Sequence, residues 1–180
     1  MLKKGCSLRL ATEEDLPFIL SLHEKEHVRQ HLNPPREDVL REIIKSGEVS
    51  QYIAELDGTA AGLLVLGYPE SWLMDLRRII VEHPRKGLGR EIMEWTVDHA
   101  FREKSVKRIS LEVPADNTNA RRLYERMGFT LEGAFRQGYF NKDTGAFSNL
   151  CIYGLLESDP RSIDLLETRE PRVRVDARCR

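Results

Sequence analysis

The sequence predicts an α+β fold, a mixed α/β arrangement in which a central mixed sheet of about seven strands is flanked by about four helices. Two observations carry this prediction. Hydrophobic residues switch between the strand and helix periods in the order β-α-α-β-β-β-α-β-α-β-β. The Asp57-Gly58 pair is typical of an antiparallel hairpin, whereas the strand, turn, helix and strand over residues 79–113 indicate a parallel unit.

The N-terminal elements follow from caps and apolar spacing. Ser7 to Leu10 alternates as a short strand. Thr12 then caps a helix whose apolar residues recur at helical spacing up to the pair Pro34-Pro35. A second helix over about 36–45 ends at Gly47, which is suited to the left-handed position after a helix.

The middle of the chain contains three strands and a long helix. The hairpin pairs Tyr52–Leu56 with Ala60–Leu66, and Pro69 is expected to end its second strand. A third strand, Trp72–Val81, feeds a helix over about 88–102.

The last third supplies one strand, one helix and two more strands. The strand is Arg108–Val113, and the helix Asn117–Met127 ends at Gly128. The final strands are Phe129–Phe140 and Ala146–Leu156.

Residues 1–159 are therefore predicted to form a single domain, followed by a charged C-terminal tail over 160–180. Within the tail, one helical turn is expected around 163–166 and a frayed end from residue 169. A predicted edge strand near Leu150–Leu155, together with the tail, could support a homodimer.

Composition excludes several classes of protein. The 180 residues carry 28 Lys+Arg and 29 Asp+Glu, a net charge of −1, so no general nucleic-acid binder is expected. No apolar run approaches the roughly 20 residues of a membrane span, and the first ten residues lack a secretory apolar region. Three distant cysteines without a C-x-x-C motif favour neither a disulfide framework nor a zinc knuckle. We therefore expect a cytoplasmic protein without membrane or nucleic-acid partners.

The segment Ile79–Arg90, IIVEHPRKGLGR, predicts a phosphate-binding loop. Gly87 and Gly89 permit a tight turn, and the following helix start points N–H donors at one spot. The expected loop residues are Arg85, Lys86, Gly87, Leu88, Gly89 and Arg90.

Other glycine loops fit this segment less well. The motif of P-loop nucleotide hydrolases is absent. A dinucleotide fingerprint would need glycine where Ile92 stands, and it would lie near the first strand, whereas three strands precede this loop. A simple turn remains the alternative.

A second segment decides between these alternatives. Asn117–Phe129 reads NTNARRLYERMGF, which matches N-x-x-A-x-x-L-Y-x-x-x-G-F at every fixed position. Together with the loop, it resembles the GCN5-related N-acetyltransferase (GNAT) family, and the order of elements agrees from about residue 7 to 157. The loop departs from the usual family pattern at Pro84 and is similar to that of the ribosomal-protein and polyamine acetyltransferases.

The resemblance implies an N-acetyltransferase that uses acetyl-CoA as cosubstrate and needs no metal. The acetyl group would pass directly to a primary amine, either of a small molecule or of a protein N-terminus. The main chain of Ile79, Ile80 and Val81 would bind pantetheine, and the loop would bind the pyrophosphate. A catalytically silent acyl-CoA-binding module is the alternative function.

The resemblance also assigns roles on the later helix. Tyr124 would protonate the leaving thiolate, although it could equally be a core residue. Asn117 would contact pantetheine or cap the helix, and Ala120 and Arg126 would contact the coenzyme.

The general base and the acceptor site are less specified. Asp75, which resembles a family position that carries a catalytic glutamate, and Glu82 are the candidate bases, and His83 and Glu112 are rivals near the strand ends. His27, His31 and Asp75 are candidate acceptor contacts, because the first helices form one wall of that site in the resembled family.

A zinc site is the competing interpretation of the first helix. His23-Glu24-Lys25-Glu26-His27 matches H-E-x-x-H, which on one helix would place both histidines on the same face. The extended form of the motif is absent, so we expect no metal.

Overall fold

The computed structural model describes residues 5–47 and 49–160 and the backbone of residues 174–175. Its strands form one mixed sheet in the order β6-β7-β5-β4-β3-β2-β1-β8. The strands are β1 (Cys6–Leu10), β2 (Val49–Leu56), β3 (Thr59–Glu70), β4 (Leu73–Val81), β5 (Arg108–Pro114), β6 (Thr130–Phe140), β7 (Phe147–Leu156) and β8 (Arg174–Val175). The predicted fold class is confirmed, because the seven predicted strands, β1 to β7, appear in the predicted order along the chain.

Five α-helices connect the described strands. They are α1 (Leu16–His23), α2 (Glu26–Arg29), α3 (Glu37–Ser46), α4 (Leu88–Asp98) and α5 (Thr118–Arg126). A 3-10 turn, Glu13–Asp15, precedes α1, and a π-helical turn, His99–Glu103, extends α4.

The predicted caps are present. The Asp15 carboxylate accepts the N–H of Thr12 at 2.8 Å, closing a capping box at the start of the 3-10 turn. Gly47 and Gly128 follow α3 and α5 with φ of +67° and +95°, the left-handed conformation that glycine adopts without strain.

The sheet separates two hydrophobic cores. One core packs α4 and α5 against the sheet and contains Met74 and Leu76 of β4. The other packs α1 and α3 against the opposite face and contains Ile80 of β4. Side chains of β4 therefore face two different sets of helices, which gives the functional region two chemically distinct sides.

Strands β4 and β5 separate along their length. Their parallel pairing runs only from Leu73↔Arg108 to Leu76↔Leu111. Beyond this point β4 stays paired with β3, and β5 stays paired with β7. We call the gap between residues 77–81 of β4 and the end of β5 the wedge, and we call its closed end, at Leu76 and Leu111, the root.

The first predicted helix is wrong in its length. The chain forms two short helices, α1 and α2, because Lys25 takes an extended backbone with φ −64° and ψ 134°. The break lets the Lys25 ammonium reach the Glu82 carboxylate at 3.2 Å while His23 stays in the core.

Three other predictions need correction. Pro69 does not end β3, because it lies in an irregular stretch of the β3–β4 pairing where its missing N–H is tolerated. Leu150–Leu155 is not an edge strand, since β7 lies between β5 and β6. The end expected to be frayed from residue 169 contains a short strand, since the backbone at Arg174–Val175 pairs in parallel with β1. The helical turn expected at 163–166 lies outside the described residues, and the homodimer stays a prediction.

Candidate active site

The main chain of β4 faces the wedge at every second residue. The N–H of Glu82 donates to the carbonyl of Ala61 on β3 at 2.8 Å. Because main-chain direction alternates along an antiparallel strand, Ile80 also turns its N–H and C=O toward β3. The main-chain groups of Ile79 and Val81 therefore point into the wedge, where an extended amide-containing ligand could pair with them.

The loop after β4 enters α4 through left-handed residues. Arg85 has φ +64° and Gly87 has φ +93°. The N–H of Arg90 makes an early helical bond, to the Gly87 carbonyl at 3.0 Å. The N–H groups of Leu88 and Gly89 precede it at the helix start, where such donors lack an intrahelical acceptor and attract anions.

Cationic side chains are present in this loop, at the start of α4 and in the last turn of α5. Arg85 and Lys86 are exposed. Arg90 is also exposed and pairs with Glu94 at 2.9 Å, and Arg126 is exposed in the last turn of α5. The charge suits a pyrophosphate, and the coenzyme contacts of these residues stay a prediction.

Helix α5 begins with a side-chain cap. The Oδ1 atom of Asn117 accepts the N–H of Ala120 at 3.2 Å, so the capping role of Asn117 is confirmed. Its contact with pantetheine, and that of Ala120 with the coenzyme, stay predictions. The cap fixes the start of the helix that carries Tyr124.

Tyr124 lies in the core between α5 and the sheet. Its ring packs against Phe129 and Tyr153, with centroid distances of 5.9 and 6.3 Å. Burial raises the pKa of Tyr124 above its usual range. The phenol therefore keeps its proton at neutral pH, which is the state that a general acid needs.

Asp75 lies near the root of the wedge on the face opposite Tyr124. It pairs with Ser110 one residue before the last pair of the β4–β5 ladder. Because Met74 and Leu76 face the core of α4 and α5, alternation turns Asp75 toward the side of α1 and α2. Its carboxylate lies 3.6 Å from the Nε of Arg77.

Glu82 lies at the other end of the wedge. It follows the last residue of β4 and pairs with Lys25 at 3.2 Å. It lies seven positions after Asp75 along the strand, which corresponds to roughly 20 Å. His83 and Glu112 are exposed. Asp75 and Glu82 therefore lie far apart, so a thioester can lie close to only one of them.

The geometry of the H-E-x-x-H interpretation is wrong. His23 and His27 belong to different helices, and His23 is buried with its Nδ1 2.8 Å from the Ile19 carbonyl. The Nε2 atom of His27 lies 3.0 Å from the Val81 carbonyl at the wedge. Within the described ranges, no group of three or more His, Cys, Asp or Glu side chains could hold a metal ion.

Side-chain amides join α2 to the β6–β7 hairpin. Asn141 donates to the carbonyls of Arg29 and Gln30, each at 2.9 Å. Asn33 donates to the Phe140 carbonyl at 2.8 Å. We call these five residues, Arg29, Gln30, Asn33, Phe140 and Asn141, the latch. They hold the hairpin against the end of α2 and the residues that follow it.

A cleft of about 290 Å³ lies beneath the latch. His31 lines it, with its Nδ1 3.6 Å from the carboxylate of Asp116. The side chain of Asp116 is 61% exposed, so the cleft has an acidic outer end. The full lining is Gln30, His31, Asp116, Tyr139, Asn141, Thr144, Ala146, Phe147 and Ser148.

Several residues of this region were missed by the sequence analysis. Asn141 and Tyr139 lie in the final hairpin, and Arg78 lies within the β4 run. Only Asn141 had a local pattern, the polar turn that precedes Gly145. The others acquire a role only through contacts between distant segments.

Comparison with known proteins gives consistent matches. Residues 16–129 match the model of the acetyltransferase (GNAT) family. An aminoglycoside N(6′)-acetyltransferase type 1 of Klebsiella pneumoniae is 25% identical over 150 residues, which cover 71% of this chain and 75% of that protein. The uncharacterized N-acetyltransferase YoaA of Bacillus subtilis (strain 168) is 35% identical over 79 residues, 44% of each chain.

A solved structure has the same fold. The spermidine N-acetyltransferase from Vibrio cholerae, in complex with CoA and spermine, superposes with a TM-score of 0.75 at 23% identity. The match covers 86% of this chain and 96% of that one.

The chain belongs to the GNAT family of acetyltransferases, as the paired motifs predict. It is therefore an N-acetyltransferase that uses acetyl-CoA as cosubstrate and an amine as acceptor. Within the described part of the chain, no helix is long and apolar enough to cross a membrane.

Proposed function

We propose that the chain transfers the acetyl group of acetyl-CoA to a small primary amine by direct attack in a ternary complex. The observation that carries this proposal is the wedge between β4 and β5, with Tyr124 on one face and Asp75 on the other. Pantetheine would pair with the main chain of Ile79 and Val81 and bring the thioester toward the root.

The reaction then needs two proton transfers. The amine nitrogen attacks the thioester carbonyl carbon, and its proton passes to Asp75 directly or through a water. The tetrahedral intermediate collapses, the C–S bond breaks, and the sulfur takes the proton of the Tyr124 hydroxyl. Asp75 is favoured over Glu82 because it lies near the root, whereas Glu82 lies beyond the end of β4 beside Lys25.

A small acceptor is favoured by the cleft and by the relatives. A cleft of about 290 Å³ fits a small molecule, and the latch narrows the approach for a folded protein. The related enzymes are named for aminoglycoside and spermidine, which are both small amines. Nothing in these comparisons favours a silent coenzyme-binding module.

Initial-rate kinetics test the proposal. The release of CoA thiol would be followed while acetyl-CoA and the amine are varied against each other. Intersecting double-reciprocal lines are expected for a ternary complex. Parallel lines would indicate a covalent acetyl-enzyme and contradict direct attack. Tight acetyl-CoA binding without turnover across a broad amine panel would instead favour the silent module.

A further inference from the structure

Arg78 differs from the other partly buried arginines of the chain. Arg9 pairs with Asp15 and Arg108 pairs with Glu132. Arg78 is half-buried, and among the described residues no carboxylate forms an ion pair with it. Burial lowers the pKa of Arg78, as expected for a cation that has lost water without gaining an anion.

The contacts of Arg78 leave donor capacity unused. Its Nη1 lies 3.5 Å from Nε2 of His23. His23 is positioned with Nδ1 toward the Ile19 carbonyl, and burial lowers its pKa, so its Nε2 faces Arg78 as a neutral acceptor. A guanidinium carries five N–H donors, and this contact uses one of them.

Tyr139 is a second unsatisfied donor beside Arg78. The Tyr139 hydroxyl is buried, and its proton has no acceptor among the described residues, whereas the main-chain N–H of Asn33 faces its oxygen. The Asp116 and Asp143 carboxylates and the Arg78 guanidinium all interact electrostatically with it.

Tyr139 also lines the cleft beneath the latch. Asp143 is already paired with Arg29, and Asp116 is exposed at the outer end of the cleft. This leaves the Tyr139 hydroxyl and the Arg78 guanidinium as donors without an anionic partner of their own.

The position of Arg78 separates it from the phosphates of the coenzyme. Its side chain faces α1, on the sheet face opposite α4 and α5. It also lies nine residues before Gly87, at the inner end of the wedge. An anion at Arg78 would therefore come from the acceptor side.

We propose that the acceptor is a small primary amine that carries a carboxylate, and that Arg78 and the Tyr139 hydroxyl bind this carboxylate. Asp75, on the same sheet face as Arg78, would lie beside the amino end. This inference rests on the proposed function and specifies its substrate class. It distinguishes the chain from relatives named for spermidine and aminoglycoside, which are amines without a carboxylate.

Matched acceptors test the proposal. Acetylation of L-phenylalanine and 4-aminobutanoate would be compared with that of their carboxamides, and with spermidine and kanamycin. The amine of an amino-acid amide is less basic, so intrinsic reactivity at neutral pH favours the amides. The wild-type enzyme is nevertheless expected to prefer at least one acid over its amide by about 30-fold or more in kcat/KM, which is about 2 kcal/mol.

Two variants assign that preference. Arg78→Gln should bring the acid-to-amide ratio close to one and leave kcat/KM for the amide within about threefold. Tyr139→Phe removes only the hydroxyl and should lower the ratio by about three- to tenfold. Arg102→Gln, an exposed arginine paired with Asp98, is the control and should leave the ratio unchanged.

An inhibition measurement on the wild-type enzyme tests the proposal without any substitution. Butanoate should inhibit the wild-type enzyme competitively against the amine, whereas butanamide should not. Preference for the amides, spermidine or kanamycin, with no inhibition by butanoate, would overturn the inference while the proposed function stands. An equal loss for acid and amide in Arg78→Gln would also overturn it. No acetylation of any amine would contradict the proposed function itself.

Discussion

The two sides of the wedge that we propose for the coenzyme and for the acceptor are built in different ways. The coenzyme side uses consecutive residues, because the end of β4, the loop and the start of α4 supply main-chain N–H groups in a fixed local geometry. The acceptor side joins α2 to the β6–β7 hairpin, across more than 100 residues of sequence, through side-chain amides. A main-chain site suits a ligand that stays the same, whereas a side-chain site can be changed one residue at a time.

The largest effect should come from Tyr124→Phe. Loss of the general acid should lower kcat by about 10²- to 10⁴-fold. The affinity for acetyl-CoA should change by less than about threefold, since the ring and its packing remain. Turnover and calorimetric titration with acetyl-CoA would be measured together.

Tyr153→Phe is the matched control for Tyr124→Phe. Tyr153 lies in the same core and bonds Glu125 at 2.7 Å and Arg121 at 3.1 Å, away from the proposed reaction. Its loss should affect stability by about 1–2 kcal/mol and leave kcat nearly unchanged. Equal turnover for the two variants would remove Tyr124 from the mechanism.

Asp75→Asn and Glu82→Gln distinguish the two ends of the wedge. Asp75→Asn should lower kcat/KM by about 10²-fold, because an amide cannot accept the proton of the attacking amine. Glu82→Gln loses a partly exposed ion pair and should change kcat/KM by less than about threefold. The reverse ranking would place the thioester at the outer end of the wedge.

Gly89→Val should act on the coenzyme side alone. A Cβ at Gly89 would lie 3.8 Å from side-chain atoms of Leu123 and Val81, so the branches of valine would crowd the loop. Overpacking by itself should lower the free energy of unfolding by about 1–3 kcal/mol. Displacement of the loop N–H groups should in addition weaken the affinity for acetyl-CoA by about 10-fold or more. Gly133→Val, where a Cβ meets nothing within 4 Å, is the control for calorimetry. An unaltered dissociation constant for Gly89→Val would place the pyrophosphate elsewhere.

The smallest expected effect is on the free energy of unfolding, and a histidine on each face of the sheet should contribute to it. Burial lowers the pKa of His23 on the acceptor side and of His99 beside α4. Each histidine therefore binds a proton more readily in the unfolded chain, so the free energy of unfolding should fall as pH drops below about 6.5.

Urea unfolding at pH 7.5 and 5.5 measures this loss. It should be smaller in His23→Gln and in His99→Gln than in the wild type. Lowered carboxyl pKa values, such as that of Asp15 beside Arg9, act in a separate window at lower pH. Identical slopes in the wild type and both variants between pH 7.5 and 5.5 would contradict the assignment to histidine.

The sequence predicts the coenzyme side better than the acceptor side for a physical reason. Glycine positions, a helix cap and an apolar strand are local features, so Gly87, Asn117 and the course of β4 follow from neighbouring residues. The break after α1 accompanies an ion pair between Lys25 and Glu82, a contact across 57 positions that no local pattern contains.

Two residues illustrate what periodicity leaves out. In the sequence, Arg78 is one of three charged residues of β4, and only the fold places it against His23. His27 looks like half of a zinc motif until α2 turns it onto the Val81 carbonyl. In both cases the residue type is visible in the sequence, whereas its partner is determined by tertiary structure.

Residue-resolved amide hydrogen exchange with and without acetyl-CoA tests the central claim most directly. The coenzyme should slow exchange at Ile79, Val81, Leu88 and Gly89, whose N–H groups face the wedge or the helix start. Ile80 should change little, because its main chain already faces β3. Protection at Ile80 and elsewhere, with no change at Ile79 and Val81, would contradict coenzyme binding in the wedge.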